Sequence, residues 1–207
     1  MTRRSVPTLG VLLAGGRSRR MGRDKSAIML DGRCFLDHVA QAMHPVVDEV
    51  IVSVASKGGA WDERYHMVED VLPDLGPLGG LVSAFAHVDA ARLLVAPCDA
   101  PGLTSSVFET LLANADRAAV VVAADRSHAQ PLIGCYDASI RSALRDYLAT
   151  GRRSVNGFLA TQDVLRLRID LRVPHYNPAM LLNINTPLEL QRMLTLSACA
   201  VQQAPRS

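Results

Sequence analysis

With 207 residues, 49% of them hydrophobic and 20% charged, the chain is long enough to bury a substantial core within one domain of the α/β class. A net charge of +2 and an aromatic content of 4% argue against a nucleic-acid partner, which calls for a dense basic face or a base-stacking surface. No segment has the length of a membrane span, and the four cysteines, at 34, 98, 135 and 199, show neither C-x-x-C pairing nor metal-ligand spacing, as suits a reducing cytoplasm.

Arg3 and Arg4 precede an apolar stretch and so mimic a twin-arginine export signal. That stretch is short, is broken by Gly15 and Gly16, and is followed by arginines where a small-residue cleavage site is needed, so a cytoplasmic location is expected. Val11 to Leu13 reads as a short buried strand that stops at the two glycines. Arg17, Arg19, Arg20, Arg23 and Lys25 follow, with Gly22 among them. Main-chain N–H groups and side-chain cations in such a loop can face one polyanion together, although a run of arginines is also what a solvated basic surface loop looks like. Lys25 favours the first reading. Only Lys25 and Lys57 are lysines among the 22 basic residues, so a lysine in the most arginine-rich loop marks a place that wants a compact ammonium. The spacing is that of neither a P-loop nor G-x-G-x-x-G, because Gly22 leads into Arg23 and Asp24 before Lys25.

Asp31-Gly32 predicts a turn ahead of a helix carrying Phe35, Val39 and Met43 on one face and ending at Pro45. Glu49 to Ala55 predicts a second central strand, closing a β-α-β unit whose strands run parallel; such sheets bind ligands beyond their carboxyl ends, where the arginine loop lies. His66 to Val68 predicts a further short strand. It leads into the turn and helix start of Glu69 to Leu81, which reads either as an ordinary strand-to-helix loop or as a set of N–H groups aimed at a ligand. Arg92 to Ala96 runs straight into Pro97-Cys98-Asp99-Ala100-Pro101, so Asp99 is a carboxylate stiffly held at the end of a buried strand, suited to a hard cation. Thr104 or Ser105 is better placed than Asp99 to cap the helix from about Val107 to Asn114.

Ala118 to Ala123 predicts another buried strand, with His128 in the polar turn after it, where a surface histidine is the expected role. Asp137 to Thr150 predicts a helix, Arg152 and Arg153 lie by default in water, and the alternation of Val164 to Ile169 predicts a strand near a sheet edge. In Leu181-Leu182-Asn183-Ile184-Asn185-Thr186-Pro187, alternation puts Asn183 and Asn185 on one face of a strand, with Thr186 as N-cap of a helix from Leu188 to about Leu196. The polar residues from Ala198 to Ser207 predict a frayed tail after a domain of residues 1–196.

The run from Leu13 to Lys25, LAGGRSRRMGRDK, resembles the signature of the nucleotidyltransferases that attach a nucleotide to molybdopterin, the molybdenum cofactor guanylyltransferases in particular. Pro97-Cys98-Asp99-Ala100-Pro101 is similar to that family's metal-binding PCD-x-P, and Asn183 to Pro187 to its N-x-N-T-P, all in family order from about Gly10 to Leu190. The resemblance implies a single-domain, three-layer, Rossmann-like nucleotidyltransferase fold with a mostly parallel sheet. It implies that Leu13, Ala14, Gly15, Gly16, Lys25, Ser53, Asp70, Gly79 and Asp99 surround the nucleotide, that Gly22, Asn183 and Asn185 meet the second substrate, and that Arg19, Lys25 and Asp99 act on the phosphates. Position 53 departs from the family, which commonly has asparagine there; Ser53 lacks the bifunctional amide, and base preference depends on what replaces it.

The implied substrates are GTP and molybdopterin, and the implied cofactor is Mg²⁺ on Asp99, with Mn²⁺ as an alternative. Transient contacts with other cofactor-biosynthesis proteins or apoenzymes fit such a role. The rival readings are a molybdopterin cytidylyltransferase, another nucleotidyltransferase acting on a sugar or terpenoid phosphate, and a non-catalytic carrier of the cofactor.

Overall fold

The structure is a computed structural model that describes residues 7–14, 28–55, 64–71, 74–87 and 90–203. Its frame is a seven-stranded sheet made of β1 (Thr8–Leu13), β4 (Glu49–Val54), β5 (His66–Glu69), β6 (Arg92–Pro97), β7 (Val120–Ala124), β8 (Ala129–Asp137) and β9 (Val164–Arg168), while β2 (Met29–Leu30) and β3 (Arg33–Cys34) form a separate hairpin. The strand order is β5-β4-β1-β6-β8-β7-β9. Six strands run the same way, and only β8 opposes its neighbours β6 and β7. The sheet is therefore mostly parallel, and β9 lies at its edge as the alternating Val164–Arg168 sequence predicts.

Each central strand is a continuous apolar run because both faces of the sheet are covered. Every residue of β1, β6 and β7 is buried. Alternate side chains go to opposite faces. Leu12, Val50, Val52, Leu94 and Val121 face one layer, formed by α1 (Phe35–Met43) and α3 (Ser105–Leu112). Leu9, Val11, Ile51, Leu93 and Val95 face the other, formed by α2 (Pro77–His87), α4 (Arg141–Ala149) and α5 (Val155–Leu159). This is the three-layer arrangement. In α1 the predicted stripe is the buried face: Phe35, Val39 and Met43 are each fully buried.

The β2–β3 hairpin turns at Asp31 (φ 47°) and Gly32 (φ 77°), two successive left-handed residues of the kind an Asp-Gly pair adopts in a tight hairpin. The carboxyl-terminal helix α6 (Pro187–Gln203) continues well past Leu196, because no proline or glycine interrupts Ser197 to Gln203. The expected frayed tail is thus helical over its first residues.

Phe35 opens α1 and also joins a small cluster with Ala179, Ile184 and Met193, so it fastens α6 and the segment before it to the main body. Phe35→Ala should lower stability by about 3–5 kcal/mol, read as a shift in urea-unfolding midpoint, and lower it more than a substitution of half-buried Leu190 in the same cluster.

Candidate nucleotide-binding site

Strand order reverses direction between β1 and β6, and open α/β sheets bind ligands at such a switch point, beyond the strands' carboxyl ends. Leu13 ends β1 and Pro97 ends β6, paired in register. Just past them, the Cys98 amide donates to the Leu13 carbonyl at 3.2 Å, and on the other side the Ala14 amide donates to the Ser53 carbonyl at 2.9 Å. Leu13, Ala14, Ser53 and the residue before Asp99 therefore form one continuous floor. Gly15, Gly16, Arg19, Gly22 and Lys25 lie outside the described residues, but the loop that carries them leaves this floor at Ala14.

The β4–β5 side of the floor is held by polar contacts. Ser53 is 2% exposed, and its Oγ donates to Asp70 Oδ1 at 2.8 Å, while the Asp70 amide donates to the Val54 carbonyl. Above them sits the start of α2. A Cβ at Gly80 would come within 2.6 Å of Ser53 Oγ and 2.8 Å of Leu13 Cδ2, so only glycine lets the helix approach this closely. Gly79 is buried beside it, and its amide is engaged by the Gly76 carbonyl at 2.9 Å. What Gly79 adds is a bare backbone surface rather than an exposed donor. Ser83 completes the corner: its Oγ accepts from the Val71 amide at 2.8 Å and donates to the Gly79 carbonyl at 3.0 Å. A serine one turn into an apolar helix was the only sign of this in the sequence.

On the β6 side, Asp99 is half-buried with its Oδ1 fully enclosed. Its backbone carbonyl accepts from the Ile184 amide at 2.7 Å, which anchors the segment of Asn183 and Asn185 beside the end of β6 although Ile184 lies 85 residues further along the chain (184 − 99). Asn183 to Ile184 is not a strand: after a 3-10 turn at Pro178–Leu181 the chain runs extended and unpaired in the sheet as far as α6. The alternation predicting a strand reflects instead Ile184 turned into the cluster with Phe35. Asn183 Oδ1 is buried and accepts no hydrogen bond among the described residues. Asn185 is exposed, and its amide donates to Glu189 Oε2 at 2.6 Å. Thr186 caps α6 as expected, with its Oγ1 accepting from the Glu189 amide at 3.2 Å, a capping box signalled by Thr-x-x-Glu. Thr104 stands at the N-cap of α3 by position only, without a side-chain cap bond.

Gly102 is a site-shaping residue the sequence reading did not single out. A Cβ there would overlap the Ala179 carbonyl, so this glycine allows the turn before Asn183 to close onto the loop after Asp99. Away from the site His128 lies where the sequence puts it, while two arginines make specific bonds. His128 is exposed in its turn, and Arg153 caps the last turn of α4 by donating to the Leu148 carbonyl at 3.0 Å. Arg168 makes a two-pronged pair with Asp170 at 2.7 and 2.6 Å.

A sheet of this order, with a carboxylate just past its switch-point strand, a glycine-lined helix start beside it and a segment with a buried amide oxygen bonded to the same strand end, is the arrangement of an α/β nucleotide-binding protein. Residues 10–165 match the model of the MobA-like NTP transferase domain, and the chain belongs to that family. A molybdenum cofactor guanylyltransferase from Shewanella baltica is 32% identical over 189 residues, which is 88% of this chain and 93% of that one. The solved structure of molybdopterin-guanine dinucleotide biosynthesis protein A from Archaeoglobus fulgidus superposes with a TM-score of 0.75 at 21% identity, covering 93% of this chain and 99% of that one. A Mycobacterium tuberculosis protein solved as a manganese complex shares the fold at a TM-score of 0.66 and 15% identity, covering 91% of this chain and 98% of that one.

Burial pushes the Asp70 carboxyl above its usual 3.8, only partly countered by the Ser53 hydrogen bond, and the neighbouring Glu69 charge pushes the same way. The folded state thus binds this proton more tightly than the unfolded chain. Its stabilising effect is complete below 3.8 and is lost as pH rises through the raised value. Asp70→Asn, which keeps an acceptor for Ser53 and removes the charge, should raise the urea midpoint at pH 7. The gap from the parent protein should narrow as pH falls toward 4, and a lower midpoint at pH 7 would contradict the assignment.

Proposed function

We propose that the protein transfers GMP from GTP to the terminal phosphate of molybdopterin, forming the guanine dinucleotide of the cofactor and releasing pyrophosphate. The supporting observation is the convergence of Leu13, Asp99 and Asn183 through the Cys98–Leu13 and Ile184–Asp99 backbone hydrogen bonds, which joins a nucleotide-type crevice to a second segment on its far side. The names of the relatives agree with this chemistry.

In the reaction an oxygen of the acceptor phosphate attacks the α-phosphorus of GTP, and the bond from that phosphorus to the bridging oxygen of pyrophosphate breaks. A phosphate carries about 1.5 to 2 negative charges near neutral pH, so the attacking oxygen needs no base. The barrier lies in bringing two polyanions into line and in the charge that develops on the leaving group, so cations and positioning matter most. Lys25 and Arg19 would neutralise that charge, while Gly15, Gly16 and Gly22 would let main-chain N–H groups approach the phosphates. Ser53 holds Asp70 in place against the nucleoside. Because its one hydroxyl proton is already donated to Asp70, Ser53 cannot offer that donor to a base, which leaves a cytidylyltransferase as the second reading.

The donor set fits Mg²⁺, or Mn²⁺ as in the mycobacterial complex, because the Asp99 carboxylate and the buried, otherwise unbonded Asn183 amide oxygen are both hard oxygen ligands. Among the described residues no group of three or more His, Cys, Asp or Glu side chains could cage a metal, as suits an ion completed by substrate phosphates. Such an ion supplies positive charge at the phosphates when bound. Among the described residues no helix is long and apolar enough to cross a membrane, and a cytoplasmic location fits Cys34, Cys98 and Cys135 lying outside any disulfide.

Asp99→Ala and Lys25→Ala should each lower turnover by about two to three decades, equivalent to about 3–4 kcal/mol, with an unchanged circular dichroism spectrum. The assay is mass identification of the dinucleotide formed from molybdopterin, Mg²⁺ and each nucleoside triphosphate in turn. Turnover near that of the parent in either variant removes this mechanism, and product from CTP rather than GTP moves the protein to the cytidylyl branch.

A further inference from the structure

A cavity of about 440 Å³ lies on the same edge of the sheet as Asp99, within the size range of small-molecule sites. One wall is the turn from β7 to β8, with Asp125 and His128, and the turn after β9, with Asp170. Because β7 and β9 run parallel to β6, both turns open toward the edge that carries Asp99. The opposite wall is the chain leading to Asn183, with Tyr176, Leu181 and Leu182, closed by Arg192 and Leu196 of α6. Two hydrogen bonds couple this cavity to the nucleotide crevice. Gln130 Nε2 donates to the Leu181 carbonyl at 3.0 Å, and two residues beyond Leu182 the Ile184 amide reaches Asp99. The wall of the cavity and the edge of the crevice are thus one short stretch of chain, and none of the motif residues is needed to line the cavity.

Its chemistry is divided. Leu181, Leu182 and Leu196 make an apolar side, and the Tyr176 ring adds a flat face. Asp125 supplies an ionised carboxylate. Its Oδ1 accepts from the amides of Ser127 at 2.7 Å and His128 at 3.0 Å, while Oδ2 accepts, among the described residues, only the long contact from Tyr176 Oη at 3.4 Å. Although burial pushes this carboxyl up, those hydrogen bonds outweigh it and hold the group below its usual range. Exposed Arg126 and Arg192 stand at the mouth. A flat heterocycle with adjacent N–H donors on one edge and an anionic tail complements all three parts: ring against leucines and tyrosine, donors toward Asp125 Oδ2, tail toward Arg126 and Arg192.

The geometry points to this cavity as the subsite for the pterin of the acceptor, with Asp125 as the residue that selects it by reading the donor edge of its aminopyrimidinone ring. The inference rests on the transfer reaction proposed above. It concerns how the acceptor is chosen, not where the phosphates react.

The test uses the full chain with GTP, Mg²⁺ and molybdopterin, comparing the parent with Asp125→Asn, which keeps the turn's acceptor oxygen, with Leu182→Trp, which fills the cavity, and with Arg192→Ala on the exposed face of α6. Each should raise the acceptor KM, by about 10- to 100-fold for Asp125→Asn on the scale of a lost charged hydrogen bond. The Kd for GTP measured by calorimetry should stay within twofold of the parent. If the parent forms no dinucleotide, both the reaction and the subsite fall. If the parent is active and all three variants keep its acceptor KM, or if GTP affinity falls in step with it, the subsite alone is overturned. Should one variant fold poorly by its urea midpoint, the other two decide.

Discussion

A backbone hydrogen bond from the Ile184 amide to the Asp99 carbonyl joins the two halves of the candidate site. Asp99 is stiff because it follows a fully buried strand and precedes Pro101, whereas Asn183 and Asn185 belong to an extended segment with no sheet ladder to hold it. That segment takes its position from the bond to Asp99, from Ile184 packed beside Phe35, from the capping box of α6, and from Gly102, whose missing side chain lets the preceding turn close in. Each of these contacts fixes the segment that carries Asn183 against the loop that carries Asp99.

The nucleotide side of the crevice is built differently. Its residues sit on adjacent parallel strands or directly after them, so sheet register places Leu13 against Ser53 and Pro97 with little freedom. Polar side chains then refine the arrangement. Ser53 and Ser83 each tie the strand-end loops to α2 or to Asp70, and both are almost fully buried, where an unpaired hydroxyl would be costly. Retaining a charge on half-buried Asp70 works against stability at neutral pH, a compromise common where a site must meet a polar ligand rather than merely fold. The apolar layers above and below, with Phe35, Phe108 and Phe158 each fully buried, provide the margin that tolerates it.

The two edges of the cleft also differ in what recognition they can offer. Toward β4 and β5 the groups are small and close to the backbone, suited to a nucleoside lying flat over glycines. Toward β7, β9 and α6 the walls are large apolar side chains with a fixed carboxylate and exposed arginines. A sheet whose only antiparallel strand is β8 makes this second wall possible, since the β7–β8 turn then opens on the same edge as the ends of β6 and β9.

Much of this was legible in the chain itself. Apolar runs bounded by glycine, proline and aspartate located the strands, the spacing of Phe35, Val39 and Met43 located the buried face of α1, and the run into Pro97 placed Asp99 just past the end of a buried strand. Those are local signals, carried by residues near one another in sequence. The reversed direction of β8, the loss of a strand at Asn183 and the cavity between the β7–β8 turn and α6 were not legible, because each depends on groups far apart in the sequence. Periodicity can say that Ile184 is buried; only packing against Phe35 and the backbone bond to Asp99 decide that this segment lies against the end of β6 rather than pairing in the sheet.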